Sequence, residues 1–346
     1  MNVDKIISSL SKAEDIRVVV FGDYSLDKYL YIDPKRDELS VETGLIAWQV
    51  HRKSMAAGIG GTITNNLRAM HVPVTCIGIV GDDGEGFELL RELERVGADT
   101  TYMVKDPSMC TSTYTKPMRK DENGVYREMN RLDFRNYEQP PRATQDKMLE
   151  NLEKALAHAD AVIITDQFFQ RNQGAVTDYI RERLSELALK WSDKIFYADS
   201  RSFVNEYKNM IIKCNNLELF SKFGGSEADA ESLDAIIAKG QEIAARNGRL
   251  FFVTRGSKGI VVFGGKTALI PAFHVTGEID IVGAGDATNA GIVMGLALGL
   301  SPSEAALLGC CISSITIQQI GKTGTASPQA VAERLAGFRQ EENYEL

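Results

Sequence analysis

Two textures of hydrophobic and polar positions alternate along the chain. Short apolar, β-branched runs occupy residues 17–22, 74–80, 161–166, 195–199, 210–213 and 250–253. Runs of that kind predict strands buried on both faces, as in a parallel sheet. Between them, apolar residues recur at helical spacing over 62–70, 86–96, 144–159, 174–189 and 231–247, and the small-residue run 287–300 predicts one more helix. Short buried strands alternating with helices imply an α/β fold, a doubly wound, mostly parallel sheet with helices on both faces. Two stretches have the other texture. Residues 28–57 and 101–135 alternate apolar and charged positions, as strands with one wet face do, and Asp121-Glu-Asn-Gly124 is a candidate hairpin turn. These are expected to form a small β lid, with segments 28–57 and 102–134 inserted into a single domain spanning 1–346. There is no fixed-period repeat and no low-complexity linker.

Composition narrows the class. The 346 residues are 44% hydrophobic, ample for a buried core, yet no run of about 18 apolar residues exists to span a membrane. Residues 1–11 are too polar for a signal peptide, so a cytoplasmic location is expected. A net charge of −8 disfavours nucleic acid as a principal partner. The five cysteines lack Cys-x-x-Cys spacing and the four histidines are scattered, so neither a disulfide framework nor a zinc site is indicated.

Candidate chemistry concentrates in Asp280-Ile-Val-Gly283-Ala284-Gly285-Asp286, which leads into the last predicted helix. Three small residues let backbone amides converge, and a helix N-terminus fed by such a loop binds anions. Asp286 would lie beside that anion, placed to take a proton from an attacking hydroxyl. The other reading is a tight turn with Asp286 as helix N-cap. A second glycine loop, Gly58-Ile59-Gly60-Gly61, also feeds a helix, and Asp27 follows the first strand at the edge where open α/β sheets bind ligands. Asp27 equally suits a solvated turn. Gly265-Lys266-Thr267 and Gly321-Lys322-Thr323 look like P-loop ends, but Ile260 and Thr316 stand where the first glycine is required.

The stretch 280–286 resembles the Asp-x-x-Gly-Ala-Gly-Asp signature of the ribokinase-like (PfkB) carbohydrate kinases, and agreement extends over about 17–330. Gly22-Asp23 through Leu26-Asp27, and Arg131-Leu-Asp-Phe134, are most similar to the kinase half of the bacterial heptose-phosphate kinase/adenylyltransferases. The resemblance implies an ATP-dependent kinase acting on a hydroxyl of a sugar or sugar phosphate. Asp286 would be the base, and the amides of Gly283, Ala284 and Gly285 the anion hole. Asp27, Gly58, Thr62, Arg131 and Asp280 would serve the acceptor, Asn215 and Glu218 a Mg²⁺ ion and its phosphates. Thr254, Gly256 and Gly259 would line the nucleotide, with Gly321 in a loop beside the adenine. Asn215-x-x-Glu218 could also be an ordinary helix start. Ile59 and Thr62 stand where the family has a glycine and an asparagine, and Gln167–Arg171 replaces a Lys-Gly. Heptose 7-phosphate is therefore expected to be a poor acceptor. The adenylyltransferase half is not expected, and a homodimer through lid edges is. A nucleoside kinase and a non-catalytic nucleotide- or sugar-binding regulator on the same fold are the alternatives.

Overall fold

The run Val18-Val19-Val20-Phe21 is buried along its whole length, and the strand it forms, β1 (Val18–Gly22), lies well inside the main sheet. In the computed structural model, residues 1–321 and 323–338 are described; Lys322, in one of the P-loop-like stretches, lies outside them. Helix α1 (Val3–Ser9) precedes β1. The chain then leaves the body as β2 (Tyr24–Ile32), the short β3 (Glu38–Leu39) and β4 (Ile46–Ala47), and β5 (Val50–Ile59). It returns through α2 (Gly60–Ala69), β6 (Val74–Ile77), β7 (Ile79–Gly81), α3 (Gly84–Arg95) and β8 (Val104–Asp106). A second excursion makes β9 (Thr113–Lys120), β10 (Tyr126–Glu128) and β11 (Leu132–Phe134). The next part alternates α4 (Arg142–Leu156), β12 (Ala161–Asp166), α5 (Asp178–Lys190), β13 (Ile195–Ser200), β14 (Ile211–Asn215), α6 (Asn216–Phe223), α7 (Leu233–Asn247) and β15 (Phe251–Thr254). Strands β16 (Ile260–Phe263) and β17 (Ala268–Ile270) precede helices α8 (Ala284–Ala297), α9 (Pro302–Thr316) and α10 (Pro328–Phe338).

The main sheet has eight strands in the order β17-β16-β15-β14-β13-β12-β1-β6. It is parallel from β6 to β15 and antiparallel over the last two pairings. Alternate side chains of each strand enter two separate cores. Val18, Val20, Ile163 and Tyr197 pack with α1, α2, α8 and α9, while Val19, Phe21, Ile164 and Phe196 pack with α4, α5 and α7. Burial on both faces explains the unbroken apolar runs.

A five-stranded sheet, β10-β9-β2-β5 with β11 also beside β9, stands over one end of the body. It begins at Tyr24, not at 28, because β2 pairs with β5 from Tyr24↔Ile59 onward. Its second segment is 113–134. Residues 104–106, expected in the lid, instead pair with β7 in a separate two-stranded sheet. The single strand expected over 74–80 breaks at Gly78, where a Cβ would lie 2.6 Å from the Tyr24 ring and 2.7 Å from the Gly22 carbonyl oxygen. Helix α5 starts at Asp178 and not at 174, since Thr177 caps it by accepting from the Ile180 N–H.

Both stems of the first lid excursion meet at Asp23. Its N–H donates to the Thr165 carbonyl at 2.9 Å, and its own carbonyl accepts from the Gly60 N–H at 3.1 Å. The Asp23 carboxylate accepts from the Gln167 and Ala175 amides, each at 2.7 Å, tying the 167–175 loop to the same point.

Candidate active site

Gly283, at φ 80°, is the N-cap of α8, and a side chain there would press on the methyl groups of Thr62 and Thr323 at 3.2 and 3.3 Å. The helix starts at Ala284, three residues before the apolar run. Its first turn faces a cavity, so hydrophobic periodicity begins only where burial does, at Ala287. Asp286 is thus the third helical residue, not a cap, and the tight-turn alternative is set aside. The Ala284 N–H is engaged with the Ile281 carbonyl at 3.1 Å, which removes one of the three amides expected to hold an anion. Gly285 and Asp286 lie in the first turn, whose N–H groups have no acceptor within the helix, and the helix dipole adds positive potential there.

Beneath the cradle lies a buried polar network. Asp199, at the carboxyl end of β13, accepts from Asn289 Nδ2 at 2.6 Å, and Asn289 Oδ1 accepts from the Tyr197 hydroxyl at 2.9 Å. Lys213 Nζ sits 3.4 Å from both Asp199 oxygens and 3.6 Å from where a Cβ on Gly285 would be. Burial opposes the charged ammonium, but Asp199, with Glu218 and Asp286 beyond it, holds its pKa above the ordinary value. Asp286 is half-buried. Burial first, then the charge of Asp199, push its pKa up to about 7, while Lys213 and Arg201 oppose the shift. A carboxylate titrating near neutrality suits proton abstraction. Sequence reasoning missed Lys213, Asp199, Asn289 and Arg201. The available signal was that charged residues end the apolar runs of β13 and β14, at the sheet edge where ligands bind.

Asp286 and Gly283 line a cavity of about 350 Å³ between body and lid, together with Asp27, Thr62, Lys116 and Arg201. Asp27 is not a solvated turn residue: it lies in β2 and pairs with Lys116 at 2.9 Å. Gly58 has to be glycine, since a Cβ would fall 2.6 Å from Ser25 Oγ and 2.9 Å from Asp27 Oδ2. Arg131, expected to meet an acceptor phosphate, is already bound through two nitrogens to Asp133 at 2.6 and 2.8 Å and lies over the Tyr114 ring. Arg171, the nearest cation after β12 in sequence, is taken by Asp178 and Glu206. Asp280 is not part of the cavity wall. Its two oxygens accept from the Val282 and Gly321 amides, each at 3.1 Å, so it fixes the cradle loop to the Gly321 loop.

On the other side of Lys213, Asn215 and Glu218 form a complete capping box for α6, so the helix-start reading of Asn-x-x-Glu is present in full. Glu218 Oε2 accepts from the Asn215 N–H at 2.8 Å, and burial raises the carboxyl pKa against the pull of Lys213. Thr254 is the register partner of Asn215 on the neighbouring strand. Gly256 turns at φ 55° with open space where a Cβ would lie. Gly259 has a structural reason instead: a Cβ would lie 1.9 Å from the Ile270 carbonyl oxygen. Among the described residues no three His, Cys, Asp or Glu side chains come together to hold a metal. These residues fit Mg²⁺ only as an ion carried largely by nucleotide phosphates and water; Glu218 uses Oε2 in the capping box, which leaves Oε1 to meet such an ion.

A doubly wound sheet with an anion cradle and a carboxylate at one helix N-terminus, roofed by a small β lid, is the ribokinase-like fold. Arabidopsis thaliana ribokinase, solved with ribose and ATP, superposes with a TM-score of 0.69 at 18% identity, covering 92% of this chain and 98% of that one. Phosphofructokinase-2 of Escherichia coli, solved with substrates and products, gives 0.66 at 15% identity, covering 94% and 100%. The chain belongs to the pfkB carbohydrate kinase family, whose profile matches residues 16–330. Curated relatives include the bifunctional protein HldE of Trichlorobacter lovleyi, 26% identical over 94% of this chain and 64% of that protein. The HldE of Geotalea uraniireducens is likewise 26% identical, over 96% and 66%. The chain therefore spans about two thirds of the length of these relatives.

Proposed function

We propose that this protein transfers the γ-phosphoryl group of ATP to a hydroxyl of a sugar or sugar phosphate. The observation that carries the reading is Asp286, a carboxylate with a pKa of about 7 at the third position of α8, facing the same cavity as Asp27 and the cradle. Asp27, held by Lys116, orients acceptor hydroxyls. Asp286 takes the proton from the attacking oxygen, a new O–P bond forms in line with the bond to departing ADP, and the first-turn amides with Lys213 oppose the charge on the transferring group. Mg²⁺ supplies neutralisation of phosphate charge when bound. Thr254 and Gly256 are placed to meet the nucleotide, and Glu218 its metal.

The cavity's charges favour a phosphorylated acceptor. Lys116 and Arg131 are matched by Asp27 and Asp133, whereas Arg135 and Arg201 face the same cavity without an ion-pair partner among the described residues. Exposed Leu39, Val41, Ile46 and Trp48 on the outer β3–β4 hairpin support a homodimer through the lid, which sedimentation at several concentrations tests. No described helix is long and apolar enough to cross a membrane, and a cytoplasmic location accords with that.

An ATP-consumption screen over sugars, sugar phosphates and nucleosides, run beside Asp286→Asn, tests the reading. Turnover of a sugar or sugar phosphate that falls by about 10²–10⁴ in the variant supports it. Turnover of nucleosides alone makes this a nucleoside kinase, and silence with ATP still bound makes it a non-catalytic regulator.

A further inference from the structure

Four non-glycine residues among those described have positive φ: Ile59, His71, Asn172 and Asn209. The last three, at φ 64–66°, are residue types that enter the left-handed region readily. Ile59 is not. It is β-branched, sits at φ 57° and ψ −115°, and in that conformation a branched Cβ is strained.

The strain is imposed from both sides. Up to residue 59, β5 is locked in antiparallel register with β2, ending at the pair Tyr24↔Ile59. Immediately after it, the Gly60 N–H is bound to the Asp23 carbonyl, and a Cβ at Gly60 would lie 2.9 Å from that same oxygen. The chain must therefore turn at 59, a position where glycine would cost nothing. An isoleucine held there against its own preference has its side chain at the wall of the acceptor cavity, opposite no obvious core role, since Ile59 belongs to neither hydrophobic core.

The cavity carries polar groups on its lid side, with Asp27, Lys116 and Asp133, and on its floor, with Thr62 and Asp286, beside the aromatic rings of Tyr114, Phe168 and Phe169. Ile59 and Val282, the latter 60% exposed, supply aliphatic surface in that setting. A sugar hydroxyl pressed onto such a surface gives up water and gains no partner, whereas a bare methylene or methyl loses nothing.

We infer that Ile59 is a specificity-determining residue, an aliphatic wall that selects a sugar or sugar phosphate whose carbon facing it is deoxygenated. The inference rests on the kinase reading above and adds the acceptor class. Discrimination by a hydrophobic wall against an added hydroxyl reaches about 10² at most, which sets the size of the effect.

The test compares kcat/KM on matched pairs, pentose and hexose phosphates and each of their singly deoxygenated counterparts, for the parent, Ile59→Thr and Ile59→Gly. Thr keeps the branched shape and adds a hydroxyl; Gly removes both wall and strain. The parent should prefer one deoxy position by about tenfold to a hundredfold, and both variants should reduce that ratio at least tenfold. The melting temperature of Ile59→Gly should equal or exceed the parent's, unlike an ordinary truncation of isoleucine. A parent that prefers the hydroxylated member of every pair, or a ratio unchanged in both variants, overturns the inference and leaves the kinase standing. A marked fall in the Ile59→Gly melting temperature overturns the claim that the fold strains this residue. Silence of all three proteins on every acceptor, with ATP bound, sinks the inference and the kinase reading together.

Discussion

As the proposed base, Asp286 has to remain available in its charged form near neutral pH although its surroundings favour the neutral form, and Lys213 and Arg201 are the two cations that oppose that preference. Two outcomes follow at this scale. The acid limb of kcat/KM should lie close to pH 7, and Lys213→Met should move it to higher pH, because the charge that lowers the Asp286 pKa is gone; Lys213→Arg should leave it near the parent position. A limb that does not move with Met separates Lys213 from the base. The second concerns stability. A carboxyl whose folded pKa is raised binds a proton more tightly folded than unfolded, so its ionised form destabilises the fold above about pH 7, and the penalty fades as pH falls toward the ordinary carboxyl value. Asp286→Asn should therefore melt higher than the parent at about pH 8, with the gap closing toward about pH 4. A gap that is constant with pH, or reversed, places the titration elsewhere. The placement of Gly283 and Asp286 at the start of a helix was legible in sequence, because it follows from the small residues adjacent to them. The pairing of Arg171 was not, because Glu206 lies 35 residues away and meets it only once the chain is folded.

At the scale of elements, the central strands of the body were legible because burial on both faces leaves unbroken apolar runs, while α9, buried nearly all round and so without one-sided periodicity, and boundaries set by polar caps or close packing were not. Thr177 and Gly78 are the cases in point: one stops α5 from starting early, and the other divides a strand because of the Tyr24 ring beside it. The capping box of α6 joins an element's end to the proposed nucleotide side of the site, and two substitutions part the two roles. Asn215→Ala removes the acceptor for the Glu218 N–H and should destabilise the protein by about 1 kcal/mol in denaturant titration. Glu218→Gln retains an oxygen able to accept from the Asn215 N–H, so stability should hold while the Mg²⁺ concentration for half-maximal activity rises. An unchanged metal titration would return Glu218 to the role of a cap alone. Gly58→Ala probes the other element end: its Cβ would displace Asp27 or Ser25, raising KM for the acceptor while ATP affinity stays as it was.

For the molecule as a whole, the first lid excursion is rooted at one residue, while Lys28–Glu85 and Lys53–Glu88 also bind its strands to α3. The stems at 23–24 and 59–60 cross at Asp23, which also holds the 167–175 loop of the acceptor cavity by two amides. Burial and the nearby Asp166 push the Asp23 pKa up to about 7 against those amides, so the junction is one buried carboxylate carrying three segments. In the proposed kinase, the groups that would meet the acceptor, Asp27 with Lys116 on one strand pair and Asp133 on another, belong to this one sheet and move together when it closes. In the proposed reaction closure would have a chemical purpose, since water in the cavity would compete with the acceptor for the phosphoryl group. Amide exchange should therefore slow in β2, β5 and β9 when a sugar phosphate acceptor and a non-hydrolysable ATP analogue are both present, more than with either alone. The strands β1, β12 and β13 of the body, already buried on both faces, should not change. Equal exchange in β2, β5 and β9 with and without ligands would make the lid a fixed roof, and the specificity of the cavity would then rest on its walls alone.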